Sequence, residues 1–266
     1  MDFDFELIAA PFRMQPGLRR LEPGARHLTL LTRGSALFEE KRRVHESGAS
    51  RHLVAGFDPA PALAAIAQQA EAEGHPVFDA GRLELAFEED FAVLDGADGT
   101  LPWLCVCVPS HWAPEDKLGL AFAAVHAPVA DNAALLRAGS RLVGLATSGE
   151  RWERFVWTVS PSPCYDQHPR RQPRPPWPCG DDEEAFIRSC WLRAERQTFF
   201  PVGRGTRQAV FTIRVMLQPL AQAVDSAAKA ARLHAALASM SEAVLAYKGL
   251  AAARAPLLHW LARKTA

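Results

Sequence analysis

Between Pro59 and Gly74, alanine and leucine recur at helical spacing (Leu63, Ile66, Ala67, Ala70) and end at a glycine suited to a C-cap, which predicts a helix. The period then shortens to two. Leu83-Glu84-Leu85-Ala86-Phe87 alternates, Phe91-Ala92-Val93-Leu94 is an apolar run ahead of an Asp95-Gly96 turn, and Trp103 to Val108 reads as a buried strand. Pro114, followed by Glu115-Asp116, opens an amphipathic helix with Leu118, Phe122 and Val125 on one face; Pro128 stops it, so His126 falls on its last turn. A second helix is expected from Asn132 to Leu145, after which Arg154 to Val159 returns to strand character. Trp191 to Phe200 and Ala209 to Leu217 form a hairpin about Gly203 and Gly205. From Pro219 onward, alanine and leucine at helical spacing, broken by Gly249 and Pro256, predict two or three helices whose role is packing.

Proline and glycine divide the rest of the chain. Pro11, Pro16, Gly17, Pro23 and Gly24 cut the first fifty residues into an irregular collar, and Glu39-Glu40-Lys41-Arg42-Arg43 reads as a solvated charged face. Seven prolines between 160 and 180, with basic side chains among them, predict a long extended loop of the kind that carries function or is disordered. The pattern is α+β: an antiparallel sheet covered on one side by helices. It divides into a collar over 1–50, a sheet domain over 51–218 and a helical extension over 219–266 packed on that same domain. No internal repeat, phosphate-binding glycine loop or dinucleotide fingerprint is present.

Composition narrows the partners. Of 266 residues, 48% are apolar, enough for a sizeable core, and 30 basic side chains balance 30 acidic ones, so no global field draws the chain to nucleic acid or an anionic membrane. The Met1-Asp2-Phe3-Asp4-Phe5-Glu6 start is acidic where a secretory signal is basic, and no apolar stretch reaches the roughly 20 residues of a membrane span. A soluble, cytoplasmic protein with reduced cysteines is expected, since the five cysteines are an odd number. Cys105 and Cys107 share one strand face, either as the start of a metal site or as small buried apolar residues.

Three histidines carry candidate chemistry. His126, in Ala123-Ala124-Val125-His126-Ala127-Pro128, either caps its helix or offers a ring nitrogen to iron at the edge of an apolar region. His111, in Ser110-His111-Trp112, leaves a buried strand and is the second ligand candidate or a loop donor. His168, in the proline-rich loop, can reach a site as acid or base or stand idle in solvent. Arg193, Glu195 and Gln197 share one strand face and Arg196 takes the other, either to bind carboxylates or to guard an edge strand. Arg214 lies within apolar Val210-Phe211-Thr212-Ile213-Arg214-Val215 and needs a partner, which Glu195 or a carboxylate ligand can supply.

Several ordered blocks resemble a known family. They include Pro11-Phe12-Arg13-Met14-Gln15-Pro16-Gly17-Leu18, Glu88 to Leu94, and Pro109-Ser110-His111-Trp112-Ala113-Pro114-Glu115-Asp116 running on to Val125-His126-Ala127-Pro128-Val129. Further along come Arg154-Phe155-Val156-Trp157 with His168-Pro169, Leu192 to Thr198, Phe211-Thr212-Ile213-Arg214, and Ser239-Met240-Ser241 through Tyr247-Lys248-Gly249-Leu250. Together these are similar to the catalytic α subunit of haem-dependent oxidative N-demethylase, or dimethylamine monooxygenase. The resemblance implies a PAS-like domain holding haem b, where oxygen activated at iron hydroxylates the methyl group of a small secondary amine, giving a primary amine and formaldehyde. It implies His126 as the iron ligand, because the position of His111 can be arginine in relatives. It also implies Arg193, Arg214 and Trp157 beside the cofactor, and Glu195, Arg196 and His168 in catalysis. A separate flavin and iron–sulfur reductase supplies electrons in such systems, and a tetrahydrofolate-binding partner can take up formaldehyde. Where relatives read Phe-Thr-Ile-Arg-Thr-Tyr, this chain has Val215-Met216, and Tyr165 and Tyr247 are its only tyrosines. The alternative from another class is a haem-binding PAS-type sensor or carrier without turnover, although the chain carries no heptad transmitter.

Overall fold

The computed structural model describes residues 3–180, 182–203 and 205–265; Met1 and Asp2 of the acidic start lie outside them. Its strands are β1 (Arg19–Arg20), β2 (Arg51–Leu53), β3 (Glu89–Asp95), β4 (Trp103–Cys105), β5 (Trp152–Ser160), β6 (Trp191–Pro201) and β7 (Gln208–Pro219). They form one seven-stranded antiparallel sheet in the order β1-β5-β6-β7-β3-β4-β2. The expected hairpin of β6 and β7 lies at its centre, paired from Trp191 with Pro219 to Pro201 with Ala209. The class is α+β, as the pattern predicts.

Because strand side chains alternate, β6 divides its residues between two faces. On the reverse face, Leu192, Ala194 and Met216 pack with Leu220 of α7 (Leu220–Ala223), Leu233 and Leu237 of α8 (Ala227–Ala238), and Leu257 and Leu261 of α10 (Arg254–Arg263). α6 (Glu183–Arg188) and α9 (Glu242–Lys248) join the same cluster through Ile187 and Leu245. Farther along that face, Phe91, Val93, Phe200 and Val210 meet Ala65 and Ile66 of α2 (Ala60–Ala72). The C-terminal helices are therefore part of the sheet's own core. The other face also carries helices, which the sequence pattern does not anticipate: α3 (Phe122–His126), α4 (Ala133–Arg137) and α5 (Gly139–Ala146). Of these, α5 sets Val143 and Ala146 against Leu94, Phe199 and Ala209. No described helix is long and apolar enough to cross a membrane.

Four local expectations are corrected. The alternating 83–87 segment is a 3₁₀ helix (Ala80–Leu85), because its polar position is not solvated: Glu84 is buried and accepts hydrogen bonds from Ser50 Oγ and Arg51 Nε, both at 2.7 Å. The single helix expected from Pro114 to Pro128 is a 3₁₀ turn (Pro114–Asp116) and the short α3. Between them Gly119 takes a left-handed φ of +70°, and Ala121 pairs with Thr100 across an isolated bridge. The 132–145 helix is broken at Ala138 into α4 and α5. At the start of α5 a Cβ on Gly139 would press on the Phe122 ring at 3.1 Å, so glycine lets the two elements close up. Finally, the charged run of the collar forms part of α1 (Ala36–Glu46), capped where Ser35 Oγ accepts from the Phe38 amide at 3.1 Å. One of its supposedly solvated charges, Lys41, is fully buried.

Two buried titratable groups give the fold opposing pH dependences. Burial raises the Glu89 carboxyl to about 7, and its unbonded Oε1 suits a protonated acid. A carboxyl whose folded pKa stands above its unfolded value of 4.5 contributes stability below about pH 4.5 that is lost as pH rises through 7. Burial, with Arg151 nearby, lowers His27 to about 4, so its contribution is present above 6.5 and is lost as pH falls through 4. Glu89→Gln is expected to remove the first slope and leave the second in urea unfolding followed from pH 4 to 8; identical slopes in variant and wild type would refute the assignment.

Candidate functional site

The strand register places the chemistry on the face opposite the main helical layer. Arg154 stands across from Gln197, Val156 from Glu195 and Thr158 from Arg193 on β5 and β6, while β7 adds Ile213 and Phe211 on the same side. Above them, α3, α5, the Leu7–Arg19 segment and the end of α9 enclose a cavity of about 760 Å³. That volume is in the range of small-molecule and cofactor pockets. Leu94, Leu101, Phe122, Val143, Phe199 and Phe211 supply apolar wall.

The polar part of the cavity is organised by Ser110. Its hydroxyl donates to a Glu195 carboxylate oxygen and accepts from Arg193 Nε at 2.7 Å, while Gln197 Nε2 donates to the other Glu195 oxygen at 2.7 Å. Arg193 spends its remaining nitrogens on the carbonyls of Val108 (3.1 Å) and Cys164 (3.3 Å), and is buried. Arginine and carboxylate thus share a rigid network, each held by donors and acceptors of the protein itself.

Both ligand candidates line the cavity, with different free nitrogens. His126 Nδ1 donates to the Phe122 carbonyl at 2.8 Å, the ring lies on that of Phe122 at 4.1 Å between centroids, and Nε2 has no hydrogen bond among the described residues. Burial lowers its pKa, with the Phe122 carbonyl partly opposing, so the neutral imidazole is favoured. A ring N–H tied to a backbone carbonyl, with the far nitrogen unpaired, is how proteins orient a metal-ligating histidine. His111 differs: its Nε2 accepts from Arg174 Nε at 3.1 Å, and burial with Arg174 and Arg193 nearby depresses its pKa to about 3. Its backbone is left-handed at φ +58°, a conformation bulky residues keep only when the surroundings enforce it; here the His111 amide donates to the Gln167 carbonyl at 3.1 Å. Arg174 reaches His111 by passing Gly249, where any Cβ would overlap its guanidinium, and Trp177 Nε1 donates to the Gly249 carbonyl at 2.8 Å. The proline-rich loop is therefore an ordered wall pinned to α9.

Other expected site residues stand elsewhere. Arg196 points to the reverse face, where Nε donates to Glu153 at 3.0 Å and Nη1 to the Arg26 carbonyl at 2.7 Å. Arg214 is on that face too, and its partner is Glu88 at 2.7 Å, not Glu195. His168 is buried outside the cavity lining: Nε2 donates to Glu115 at 3.1 Å and Nδ1 accepts from the Arg170 amide at 3.1 Å, a clasp between the loop and the Pro114 turn. Trp157 stands across from Ala194 and packs in the reverse core, meeting the cavity only at its edge, perpendicular to Phe12 at 5.6 Å. Met216 packs in the reverse core, so the replaced family tyrosine position does not face the cavity. Cys105 and Cys107 are buried thiols with raised pKa, and among the described residues no group of three His, Cys, Asp or Glu can hold a metal ion.

Residues 81–258 match the family model described as haem-dependent oxidative N-demethylase, alpha subunit-like. The chain belongs to this family. The family's description points to haem dependence, oxidative N-demethylase-like chemistry and an alpha-subunit-like character. The haem-dependent N-demethylase match spans β3 to β7, most of the C-terminal helices and the cavity wall apart from its Leu7–Arg19 segment.

The cavity fits such a group on three counts: its volume and apolar walls, the unpaired Nε2 of His126, and a half-buried cation, Arg154, whose buried Nε finds no acceptor. Arg154, Arg174, Lys248 and Tyr247 are cavity residues to which sequence reasoning gave no role. Alternation along Arg154-Phe155-Val156-Trp157 marks Arg154 as a charge in an apolar strand; only the register with β6 shows that it shares a face with Glu195.

Proposed function

We propose that the cavity binds haem b with His126 Nε2 on the iron, and that the chain N-demethylates a small secondary amine to a primary amine and formaldehyde with electrons from a separate reductase. The observation that carries this reading is the His126 ring, fixed through Nδ1 and unpaired at Nε2 in the cavity wall. When bound, the haem supplies activation of dioxygen. In balance, one oxygen atom enters a methyl C–H bond and the other leaves as water, using two electrons and two protons; the carbinolamine then splits its C–N bond.

The protein's own groups do the positioning. Glu195, its two oxygens oriented by Ser110 and Gln197, offers the amine an anionic acceptor. Leu101, Phe122 and Phe211 keep water from the methyl group. Lys248, lowered to about 8 chiefly by burial, can hold or release a proton at Nζ near neutral pH, as collapse of the carbinolamine requires. Protein purified from haem-supplied cells is expected to show a Soret band and, with reductant, oxygen and a panel of secondary amines, to release formaldehyde. A Soret band without formaldehyde from any amine would favour a sensor or carrier; no band would refute haem binding.

A further inference from the structure

The chain as a whole is neutral, with 30 residues of each sign, yet seven Lys and Arg side chains line the cavity against two carboxylates, Asp116 and Glu195. Six of those cations are accounted for. Arg19 pairs with Glu153 at 2.9 Å, Lys117 donates to the Val125 carbonyl at 3.1 Å, and Lys248 donates to the Trp157 carbonyl at 2.8 Å. Arg174 is bonded to His111, Arg193 to Ser110 and two carbonyls, and Arg13 is exposed to water.

Arg154 is different. Its Nε is wholly buried without an acceptor, and among the described residues its guanidinium makes no hydrogen bond or ion pair. The carboxylate on the adjoining strand that faces the same side, Glu195, has both oxygens turned to Ser110 and Gln197. A guanidinium whose Nε is buried without an acceptor is costly, and its planar fork matches a carboxylate through two parallel hydrogen bonds. Burial lowers its pKa despite the attraction of Glu195, as expected for a cation whose partner is still to arrive.

We propose that Arg154 is a carboxylate-recognition residue of this cavity, pairing with a propionate of the haem or with the carboxylate of an N-methylated amino-acid substrate. The inference rests on the haem reading above and narrows it: the ligand set of the cavity includes a carboxylate.

Arg154→Gln and Arg154→Lys test it through binding alone. Haem and its dimethyl ester are titrated into each protein by absorbance, and N-methylglycine and N-methylethylamine are then added to the haem-loaded forms. If the propionate is the partner, wild type prefers haem over the ester by about tenfold or more, and Arg154→Gln removes that preference. If the substrate carboxylate is the partner, the ester preference is unchanged, N-methylglycine shifts the spectrum of wild type but not of Arg154→Gln, and N-methylethylamine acts equally on both. Arg154→Lys, which keeps the charge without the fork, falls between and serves if the glutamine variant does not fold. A folded variant with unchanged ester preference and unchanged N-methylglycine response overturns the proposal. A wild type with no Soret band fails the haem reading instead; calorimetric binding of N-methylglycine to the haem-free protein, compared with Arg154→Gln, then decides for or against Arg154.

Discussion

Replacement of His126 by alanine is expected to abolish the Soret band of protein purified from haem-supplied cells, with haem affinity falling by about 100-fold or more, while His111→Ala keeps the band. Loss of groups that merely orient a metal ligand costs about 10- to 100-fold in affinity, and loss of the ligand itself costs at least as much. The contrast follows from the second nitrogen of each ring. His126 commits Nδ1 to the Phe122 carbonyl and keeps Nε2 free, whereas His111 has Nε2 occupied by the Arg174 N–H. Free imidazole added to His126→Ala should restore a band by occupying the vacated position. Absorbance titration reads all three results, and a band retained in His126→Ala but lost in His111→Ala would transfer the assignment to His111.

The largest stability effect is expected at Lys41. Its Nζ donates to the carbonyls of Phe87 (3.0 Å), Glu88 (3.2 Å) and Glu89 (2.8 Å), and so meets Asp90, 3.1 Å away, as a neighbouring charge and not along a hydrogen bond. Both side chains are almost fully buried. Burial opposes the Lys41 charge most strongly of any single effect, but Asp90, Cys107 and Glu89 together more than offset it, and the pKa stands above its ordinary value. Lys41→Met keeps the volume while leaving Asp90 buried without its counter-charge and three carbonyls without a donor. A loss of about 3–5 kcal/mol is expected in urea unfolding. Because Asp90 Oδ2 also accepts from the Val108 amide at 2.8 Å, Lys41→Met with Asp90→Asn should recover part of that loss and no more. A loss under about 1 kcal/mol in the single variant would show that the pair does not hold α1 to the sheet.

The two cases mark what local pattern conveys. Lys41 sits in a run of five charged residues, and nothing in that run separates Glu40 and Lys41, which are buried, from the three that stay nearer water. Helical periodicity does place it: with Leu37 and Val44 it lies on the buried side of α1, so its burial was readable only once the run was taken as a helix. The 83–87 alternation misled for the converse reason, since Glu84 is polar yet buried against Arg51. Similarly, the 114–128 pattern carried the right apolar positions, but the left-handed turn at Gly119 divides them between two short pieces.

The candidate site was legible in part. His126 and His111 both reach the cavity, as do Arg193 and Glu195, whereas Trp157 stands opposite Ala194 in the reverse core and meets only the cavity edge. Arg196 and Arg214 were set on the other face by alternation that the sequence does contain; which face holds the cavity was not in it. His168 takes a partner, Glu115, 53 residues away, and the pairing depends on the path of the proline-rich loop.

By itself, the sequence determined the class of the fold, the central β6–β7 hairpin and the helices of the C-terminal core, because each follows from a period of two or 3.6 and from turn residues acting over a few positions. It also determined the family, through ordered blocks. The tertiary structure alone decided which strand face is covered by the main helical layer and which encloses the cavity. It also decided which nitrogen of each histidine is free, and that Arg154 Nε is buried without an acceptor. Those properties depend on cross-strand register and on contacts between segments distant in the chain, where burial and hydrogen bonding set the chemistry and local spacing carries no information.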